Sequence, residues 1–158
     1  MTKTRILCSG PIDEVATKIL EPFGEIVIAP DSDEDTLLSL LESTIGLVLR
    51  NEGHADARLI QAAKDLKVIG RSGAGYDKID IVAATARGIP VVFTPGANAR
   101  AVAEAALTLM LVLSKKVFYW DQQLKQGNWQ SRFKTQPGDL DNATLGIIGF
   151  GRIGQILA

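Results

Sequence analysis

The sequence predicts an α/β fold in which helices cover both faces of an open parallel sheet. Short β-rich runs alternate with segments of helical period from the first residues onward. Such alternation is typical of βαβ units, whose strands pair in parallel. The composition is that of a globular domain, with 46% hydrophobic and 22% charged residues among 158. This length suffices for one ordinary domain and is short for two.

Five strands and four connecting helices are expected in the sheet-forming part of the chain. The strands are predicted at residues 5–8, 25–29, 46–50, 67–70 and 91–93. Apolar residues at helical spacing mark the helical faces between them: Val15, Ala16, Ile19 and Leu20; Leu37, Leu38, Leu41 and Ile45; Leu59, Ile60 and Ala63; and Ile79, Val82, Ala83 and Ala86. Asp77 is placed to cap the fourth helix, and Gly88 to end it in the left-handed conformation. Pro90 then opens the last strand.

A long apolar helix is expected after the sheet. The turn at residues 94–96 ends the last strand, and Asn98 is the predicted N-cap of a helix over residues 99–117. This helix is apolar nearly all round, which predicts burial on several sides.

A polar connection is expected after this helix. Residues 127–142 are rich in turn-forming residues and are interpreted as the link to a strand at residues 145–148. Trp129 and Phe133 within the link either anchor it to another surface or pack on their own domain.

A glycine motif follows that predicted strand. The sequence Gly149-Phe-Gly151-Arg-Ile-Gly154 fits G-x-G-x-x-G and leads into a segment of helical composition. Gly149 would make a tight turn, Gly151 would let the backbone approach a pyrophosphate, and Gly154 would let helix and strand pack closely. The pyrophosphate would lie on free amides at the helix N-terminus. The motif indicates a dinucleotide site formed by Gly149, Gly151, Arg152, Ile153 and Gly154.

Composition and charge exclude several classes of function. The formal net charge is −1 and the pI is near 5.8, without a basic stripe, so we expect neither nucleic acid nor a membrane as partner. The longest apolar stretch, residues 107–113, is too short to span a bilayer, and no leader precedes the first strand, which favours a cytoplasmic protein. One cysteine and one histidine predict no metal site and no internal disulfide. Cys8 is interpreted as the end of a buried strand.

Two stretches, residues 68–113 and 144–154, resemble the D-2-hydroxyacid dehydrogenase family, especially its D-3-phosphoglycerate dehydrogenase branch. The resemblance extends over essentially the whole chain. It implies an NAD-dependent oxidoreductase that acts on a D-2-hydroxy acid or the corresponding 2-oxo acid, with 3-phosphoglycerate as one candidate. It further implies that residues 1–98 form a flavodoxin-like substrate-binding domain. Residues 99–158 would hold the hinge helix, the connection and the start of a Rossmann domain.

The resemblance also implies roles for individual residues. Backbone amides of Ala74 and Gly75, in the loop RSGAGYD, would hold the substrate carboxylate. This loop follows a strand and precedes a helix, where open parallel sheets bind ligands; a glycine turn needed only for geometry is the alternative. Arg50 matches an arginine that reaches the substrate, and its guanidinium suits carboxylate or phosphate. Asn98 matches a residue near the substrate, although capping alone would explain it. Val102 matches one that borders the nicotinamide, and here we favour simple core packing.

The sequence departs from the family pattern near this site, in the stretch RNEGHAD that begins at Arg50 and at Phe93, where asparagine is common. These departures leave the identity of the substrate open. His54 is interpreted as a surface imidazole, because the catalytic histidine of the family lies far downstream with its arginine and glutamate partners.

We therefore expect the chain to be the N-terminal part of such an enzyme, inactive alone and binding NAD weakly or not at all. The residue that reads the adenosine ribose is expected about 20 residues after the glycine motif, beyond Ala158. The sequence thus does not distinguish NAD from NADP.

Two other interpretations remain open. The first is a non-catalytic flavodoxin-like module that associates with itself, because the apolar helix over residues 101–113 would expose a patch large enough to drive association. The same helix predicts a homo-oligomer, such as a dimer, for the enzyme. The second is a relative that uses NAD to set its assembly with other proteins, as the C-terminal-binding-protein corepressors do.

Overall fold

The computed structural model describes residues 4–158. They form two compact units, one ending at Ala97 and the other running from Asn98 to Ala158. The first unit contains the sheet, and the second consists of helices and turns. No helix within the described residues is both long and apolar enough to cross a membrane.

Five parallel strands form the sheet of the first unit, in the order β2-β1-β3-β4-β5. The strands are β1 Arg5–Cys8, β2 Glu25–Ile28, β3 Thr44–Leu49, β4 Val68–Arg71 and β5 Val91–Val92. The predicted open parallel sheet is confirmed, and the strand bounds lie within two residues of those expected. This order is the flavodoxin-like one. The chain adds β2 on one side of β1 and then continues with β3 on the other side, which leaves a crevice between the carboxyl ends of β1 and β3.

Four short helices connect these strands. They are α1 Glu14–Leu20, α2 Glu34–Ser39, α3 Ala57–Ala62 and α4 Ile81–Ala86, and the 3-10 turn Glu21–Phe23 follows α1. The side chains of Asp13, Asp56 and Asp80 cap α1, α3 and α4 by accepting from main-chain amides at 2.8, 2.8 and 2.9 Å. Each cap satisfies an amide that has no partner inside its helix.

The start of α4 differs from the expectation. Asp80 holds the N-cap position that we predicted for Asp77. The chain before it pairs Ile79 with Ala55 in an isolated parallel bridge, so the helix begins only after that bridge. Ile79 is therefore not on a helical face, and Ile45, also predicted on one, lies in β3. Gly88 has a φ of 65°, which confirms the left-handed residue expected at the helix end.

The main core lies between the sheet and one layer of helices, in which α2 contacts α3 and α3 contacts α4. Its fully buried large side chains are Leu7, Leu37, Leu47, Leu49, Leu59, Ile60 and Ile69. The connection from β1 to β2 runs toward one edge of the sheet and the later connections run toward the other edge, so right-handed crossovers place their helices on different faces. Helix α1 thus lies on the opposite face of the sheet. There Val15 and Ile19 remain 64% and 61% exposed. Helices cover both faces as expected, but the second cover is thinner.

Three helices lie in the second unit: α5 Ala99–Ser114, α6 Val117–Lys125 and α7 Arg152–Leu157, with a 3-10 turn at Trp129–Phe133. The prediction of one helix over residues 99–117 is wrong at its end. The Ser114 carbonyl accepts from the Gly138 amide at 2.8 Å, and Lys116 has a φ of 52°. The carbonyl that would continue the helix is thus already used, and a new helix starts at Val117.

Two further expectations for this unit are wrong. Helix α5 buries only Ala99 and Ala103, so it is not covered on several sides within its unit. Residues 145–148 do not form a strand, because no strand among residues 4–158 pairs with them, and Ile148 is fully exposed. Asn98 does hold the predicted N-cap position, although its side chain makes no capping hydrogen bond.

Arg87 connects the end of α4 to the end of α3. Its guanidinium donates to the carbonyl oxygens of Ile60, of Ala63 at 2.7 Å and of Lys64 at 3.1 Å. The last carbonyls of a helix have no partner within that helix. Arg87 therefore satisfies the carboxyl end of α3 at the edge of the sheet where β4 begins.

Replacing Arg87 by methionine should lower the free energy of unfolding by about 1–3 kcal/mol, because the partly buried carbonyls lose their donors. Urea denaturation followed by circular dichroism measures this loss. Arg58→Met is the matched control, since the Arg58 guanidinium forms exposed ion pairs with Glu34 and Asp35, worth at most about 1 kcal/mol. Equal losses in the two variants would contradict the capping role of Arg87.

Candidate functional site

The loop after β4 contains the two residues predicted to hold a carboxylate, Ala74 and Gly75. Main-chain hydrogen bonds fix the base of the loop, from the Ser72 amide to the Leu49 carbonyl at 3.0 Å and from the Thr94 amide to the Gly73 carbonyl at 3.1 Å. Within residues 4–158, the amides of Ala74 and Gly75 donate to no carbonyl or side chain. Two free donors therefore lie at the carboxyl edge of the sheet, where parallel sheets bind ligands.

Arg50 follows β3 at the same edge. Its amide donates to the Ser9 hydroxyl at 2.9 Å, and its guanidinium donates to the Pro11 carbonyl. Ser9 is buried just after β1, so this hydrogen bond joins the carboxyl ends of β1 and β3, between which the crevice lies. The structure thus brings Arg50 to the crevice edge that also carries the loop with Ala74 and Gly75.

Arg71 lies directly before this loop, and the sequence analysis did not name it as a candidate. It ends β4 and is only 9% exposed. Its guanidinium donates to the Ser72 carbonyl at 2.7 Å and to Asn51 Oδ1 at 2.8 Å. Asn51 also accepts, through its main-chain carbonyl, from the Lys78 ammonium. A cation immediately before a glycine-rich loop was the sequence signal that could have identified Arg71.

The remaining predicted positions divide between the two units. His54 is exposed in the segment after Arg50, as expected for a surface imidazole. The Phe93 ring packs edge-on against Tyr76, with the ring centroids 5.1 Å apart. Asn98 and Val102 belong to the second unit, at the start of α5, and Val102 is 39% exposed. Packing within that unit therefore does not bury Val102.

The glycine motif forms a compact turn before α7. Gly149 has a φ of 90°, a conformation that favours glycine. A Cβ on Gly154 would lie 2.5 Å from the Gly149 carbonyl oxygen, whereas a Cβ on Gly151 would meet nothing within 4 Å. Gly149 and Gly154 are thus required by the turn itself, and Gly151 leaves open space at its surface. This open space fits the close approach of a pyrophosphate, and Arg152 and Ile153 follow as exposed residues of α7.

Cys8 is fully buried as the last residue of β1, which confirms the expectation for it. Burial raises the pKa of its thiol to about 11, because the thiolate would lose its hydration. A nucleophilic cysteine needs a lowered pKa, so Cys8 is an inert core residue. No cluster of metal-ligating side chains occurs within residues 4–158.

The chain matches a known protein family over most of its length. The family model for the catalytic domain of D-isomer specific 2-hydroxyacid dehydrogenases matches residues 6–147. The D-3-phosphoglycerate dehydrogenase of Archaeoglobus fulgidus is 40% identical over 95% of this chain and 28% of its own length. The hydroxypyruvate reductase of Thermotoga maritima is 36% identical over 100% of this chain and 52% of its own length.

A solved structure of a related enzyme has the same fold as this chain. The NADPH-dependent glyoxylate/hydroxypyruvate reductase of Sinorhizobium meliloti, in complex with citrate, superimposes with a TM-score of 0.79 at 30% identity. The match covers 99% of this chain and 49% of that one. The chain therefore spans from about a quarter to about half of the length of the relatives that it matches.

The raised pKa of Cys8 predicts a loss of stability at high pH. Between pH 9 and pH 11 the unfolded thiol releases its proton while the folded thiol keeps it. The free energy of unfolding should therefore fall by about 1.4 kcal/mol per pH unit relative to Cys8→Ala, in which this contribution is absent. Urea titrations of both proteins across this range separate Cys8 from other groups that titrate there. A constant difference between the two proteins would contradict the prediction.

The two glycines of the turn should respond differently to an added methyl group. Gly154→Ala should destabilise the turn by about 1–3 kcal/mol, because the new Cβ would overlap the Gly149 carbonyl. Gly151→Ala is its matched control, since its Cβ would meet no atom within 4 Å. Amide chemical shifts of residues 149–157 should change broadly in the first variant and only next to the substitution in the second. Similar changes in both would show that Gly154 is not closely packed.

Proposed function

Since this chain belongs to the D-isomer specific 2-hydroxyacid dehydrogenase family, we propose that it supplies the substrate-binding domain of an NAD-dependent oxidoreductase. The proposed domain comprises residues 1–98, and residues 99–158 begin the cofactor-binding domain. The observation that carries the proposal is the pair of free amides at Ala74 and Gly75 on the carboxyl edge of a flavodoxin-like sheet. Backbone amides that have no protein acceptor suit a carboxylate, the group that all 2-hydroxy and 2-oxo acids share.

The proposed substrate is a small D-2-hydroxy acid or its 2-oxo counterpart. Ala74 and Gly75 would hold the C1 carboxylate, and Arg50 would lie toward the rest of the substrate. Relatives named for 3-phosphoglycerate and for hydroxypyruvate support this class. An arginine guanidinium can donate to either a phosphate or a carboxylate, which leaves both substrates as candidates.

The proposed cofactor is NAD, held by Gly149, Gly151, Arg152, Ile153 and Gly154. Members of the family use NAD or NADP, as the NADPH-dependent relative illustrates. When bound, the nicotinamide supplies or accepts the hydride that interconverts the two acids. The open surface at Gly151 would receive the pyrophosphate. We place Val102 beside the nicotinamide and Asn98 near the substrate, as the family pattern implies.

Residues 1–158 are proposed to bind substrate without catalysing the redox step. Proton transfer needs a group within hydrogen-bond reach of the substrate 2-oxygen. The sole histidine of the chain, His54, lies on the surface and has no hydrogen bond that would orient it within the described residues. We therefore assign it no part in proton transfer.

A second candidate function is self-association through the helix over residues 101–113. Leu109 and Leu113 on α5 are 60% and 74% exposed, and Phe118 on α6 is 75% exposed. Apolar side chains on this scale favour a protein partner. The same surface could form the contact in a homo-oligomeric enzyme or in a self-associating module without catalytic activity. A chain that associates but binds no 2-oxo acid would favour the module.

Titration of the chain with hydroxypyruvate tests the proposed function. We expect millimolar binding, with amide chemical shifts changing at residues 72–76, and no oxidation of NADH in the same sample. Arg50→Met should weaken binding by about tenfold, because a charge-assisted contact is lost. Arg58→Met, which removes an exposed guanidinium on α3, serves as the matched control and should bind as the parent does. Turnover of NADH would show that the 158 residues already contain the acid–base group.

A further inference from the structure

Arg71 is a buried cation without a carboxylate partner. Its side chain is more than nine-tenths buried, and its Nε is a buried donor with no acceptor in the part of the chain that the structure describes. Its other two nitrogens donate to neutral groups, the Ser72 carbonyl and the Asn51 amide oxygen. A buried charge normally requires a paired opposite charge, because desolvation is costly.

The guanidinium lies directly against the glycine-rich loop. A Cβ on Gly73 would stand 2.7 Å from Arg71 Nη1 and 3.0 Å from Cζ, so a side chain at this position would displace the guanidinium. Through Ser72 it holds the first residue of the loop, and through Asn51 it holds the end of β3. Arg71 therefore links the loop with the free amides to the segment after β3 that contains Arg50 and Asn51.

The charges around this point are mainly positive. Arg50 precedes Asn51, and the Lys78 ammonium donates to the Asn51 carbonyl. The nearest carboxylates in sequence, Glu52 and Asp77, are both exposed. Within residues 4–158, every ion pair involves other residues. Arg50, Arg71 and Lys78 thus form no ion pair within the described residues. The Asp77 carboxylate lies beside Gly75 of the loop, where a Cβ would be 3.0 Å from its Oδ1, but it pairs with none of these cations.

We propose that Arg71 is a positioning residue for anion binding, which holds the 72–75 loop in its binding shape and leaves a positive charge for the substrate carboxylate to neutralise. This inference rests on the proposed function, because the anion in question is the carboxylate of a 2-hydroxy or 2-oxo acid. Arg71 acts through the loop amides, and because Arg71 is buried, its charge is screened by water less than that of an exposed arginine. The stretch RNEGHAD, which departs from the family pattern, contributes the acceptor Asn51 to this arrangement.

The test compares pyruvate with its uncharged amide, pyruvamide, on the chain and on four variants. Binding is read from the amide shifts of residues 72–76, and folding from the remaining amide spectrum. Arg71→Met should weaken pyruvate binding by at least about tenfold, while any weak binding of pyruvamide should change little. Arg71→Lys keeps the charge but loses the fork of donors, so it should bind pyruvate with intermediate affinity.

Arg87→Met is the matched control. Arg87 also donates to main-chain carbonyls, but it does so at the amino edge of the sheet, so its loss should lower stability and leave pyruvate binding unchanged. Gly73→Ala provides an independent variant, because its Cβ would displace the Arg71 guanidinium without removing it. It should weaken pyruvate binding in the same direction as Arg71→Met.

Hydrogen exchange gives a readout that needs no ligand. The hydrogen-bonded loop amides of Ser72 and Gly73, which donate to the Leu49 and Arg71 carbonyls, should exchange faster in Arg71→Met than in the parent chain, and at the parent rate in Arg87→Met. If the parent binds pyruvate and Arg71→Met binds it equally well, the inference is wrong while the proposed function stands. If the parent binds no 2-oxo acid, the proposed function is wrong and the assignment of Arg71 is overturned with it.

Discussion

Parallel pairing of β3 with β4 is the constraint on which the candidate site depends. The register places Leu49 opposite Arg71, and the hydrogen bond from the Ser72 amide to the Leu49 carbonyl continues it beyond the strand ends. The residues that follow each strand are therefore neighbours, although more than twenty positions separate them in the sequence. Arg50 and Asn51 lie beside the glycine-rich loop because the strands run in the same direction. An antiparallel pair would have sent one of these segments to the other edge.

Arg87 and Arg71 both donate to carbonyl oxygens, but they lie at opposite edges of the sheet and differ in how completely they are satisfied. Arg87 donates through Nη1 and Nη2 to three carbonyls at the end of α3, where the chain turns into β4. Arg71 sits at the opposite edge and keeps one buried nitrogen without an acceptor. Stability explains the first arrangement completely, since orphan helix carbonyls require donors. It does not explain the second, in which a buried charge remains incompletely satisfied beside two free amides.

Features that depend on residues close together in the sequence were predicted correctly. Alternation of β-rich runs and helical faces located all five strands, and Gly88 marked a helix end because its φ is a local requirement. The failures depended on partners distant in sequence. The cap of α4 moved to Asp80 because Ile79 pairs with Ala55, and the long helix ended early because Gly138 took the carbonyl of Ser114. At the candidate site the resemblance pointed to the glycine-rich loop and to Arg50. Arg71 directly precedes that loop in the sequence, but only the structure shows that it is buried and that its Nε has no acceptor among the described residues.

The glycine motif forms its turn from local contacts, whereas the residues before it need a neighbouring strand to become part of a sheet. Residues 145–148 do not form a strand in the described chain, yet the turn from Gly149 to Gly154 is complete and leads into α7. The turn depends on the positive φ of Gly149 and on the contact between Gly154 and the Gly149 carbonyl, both within one short segment. A strand depends on hydrogen bonds to a neighbour, which no local sequence can supply. The surface that would approach a pyrophosphate can therefore form before the sheet that would surround it. Under the proposed function, the residues that would contact the phosphates lie within one short segment, whereas the residues that would contact the rest of a dinucleotide come from the assembled domain.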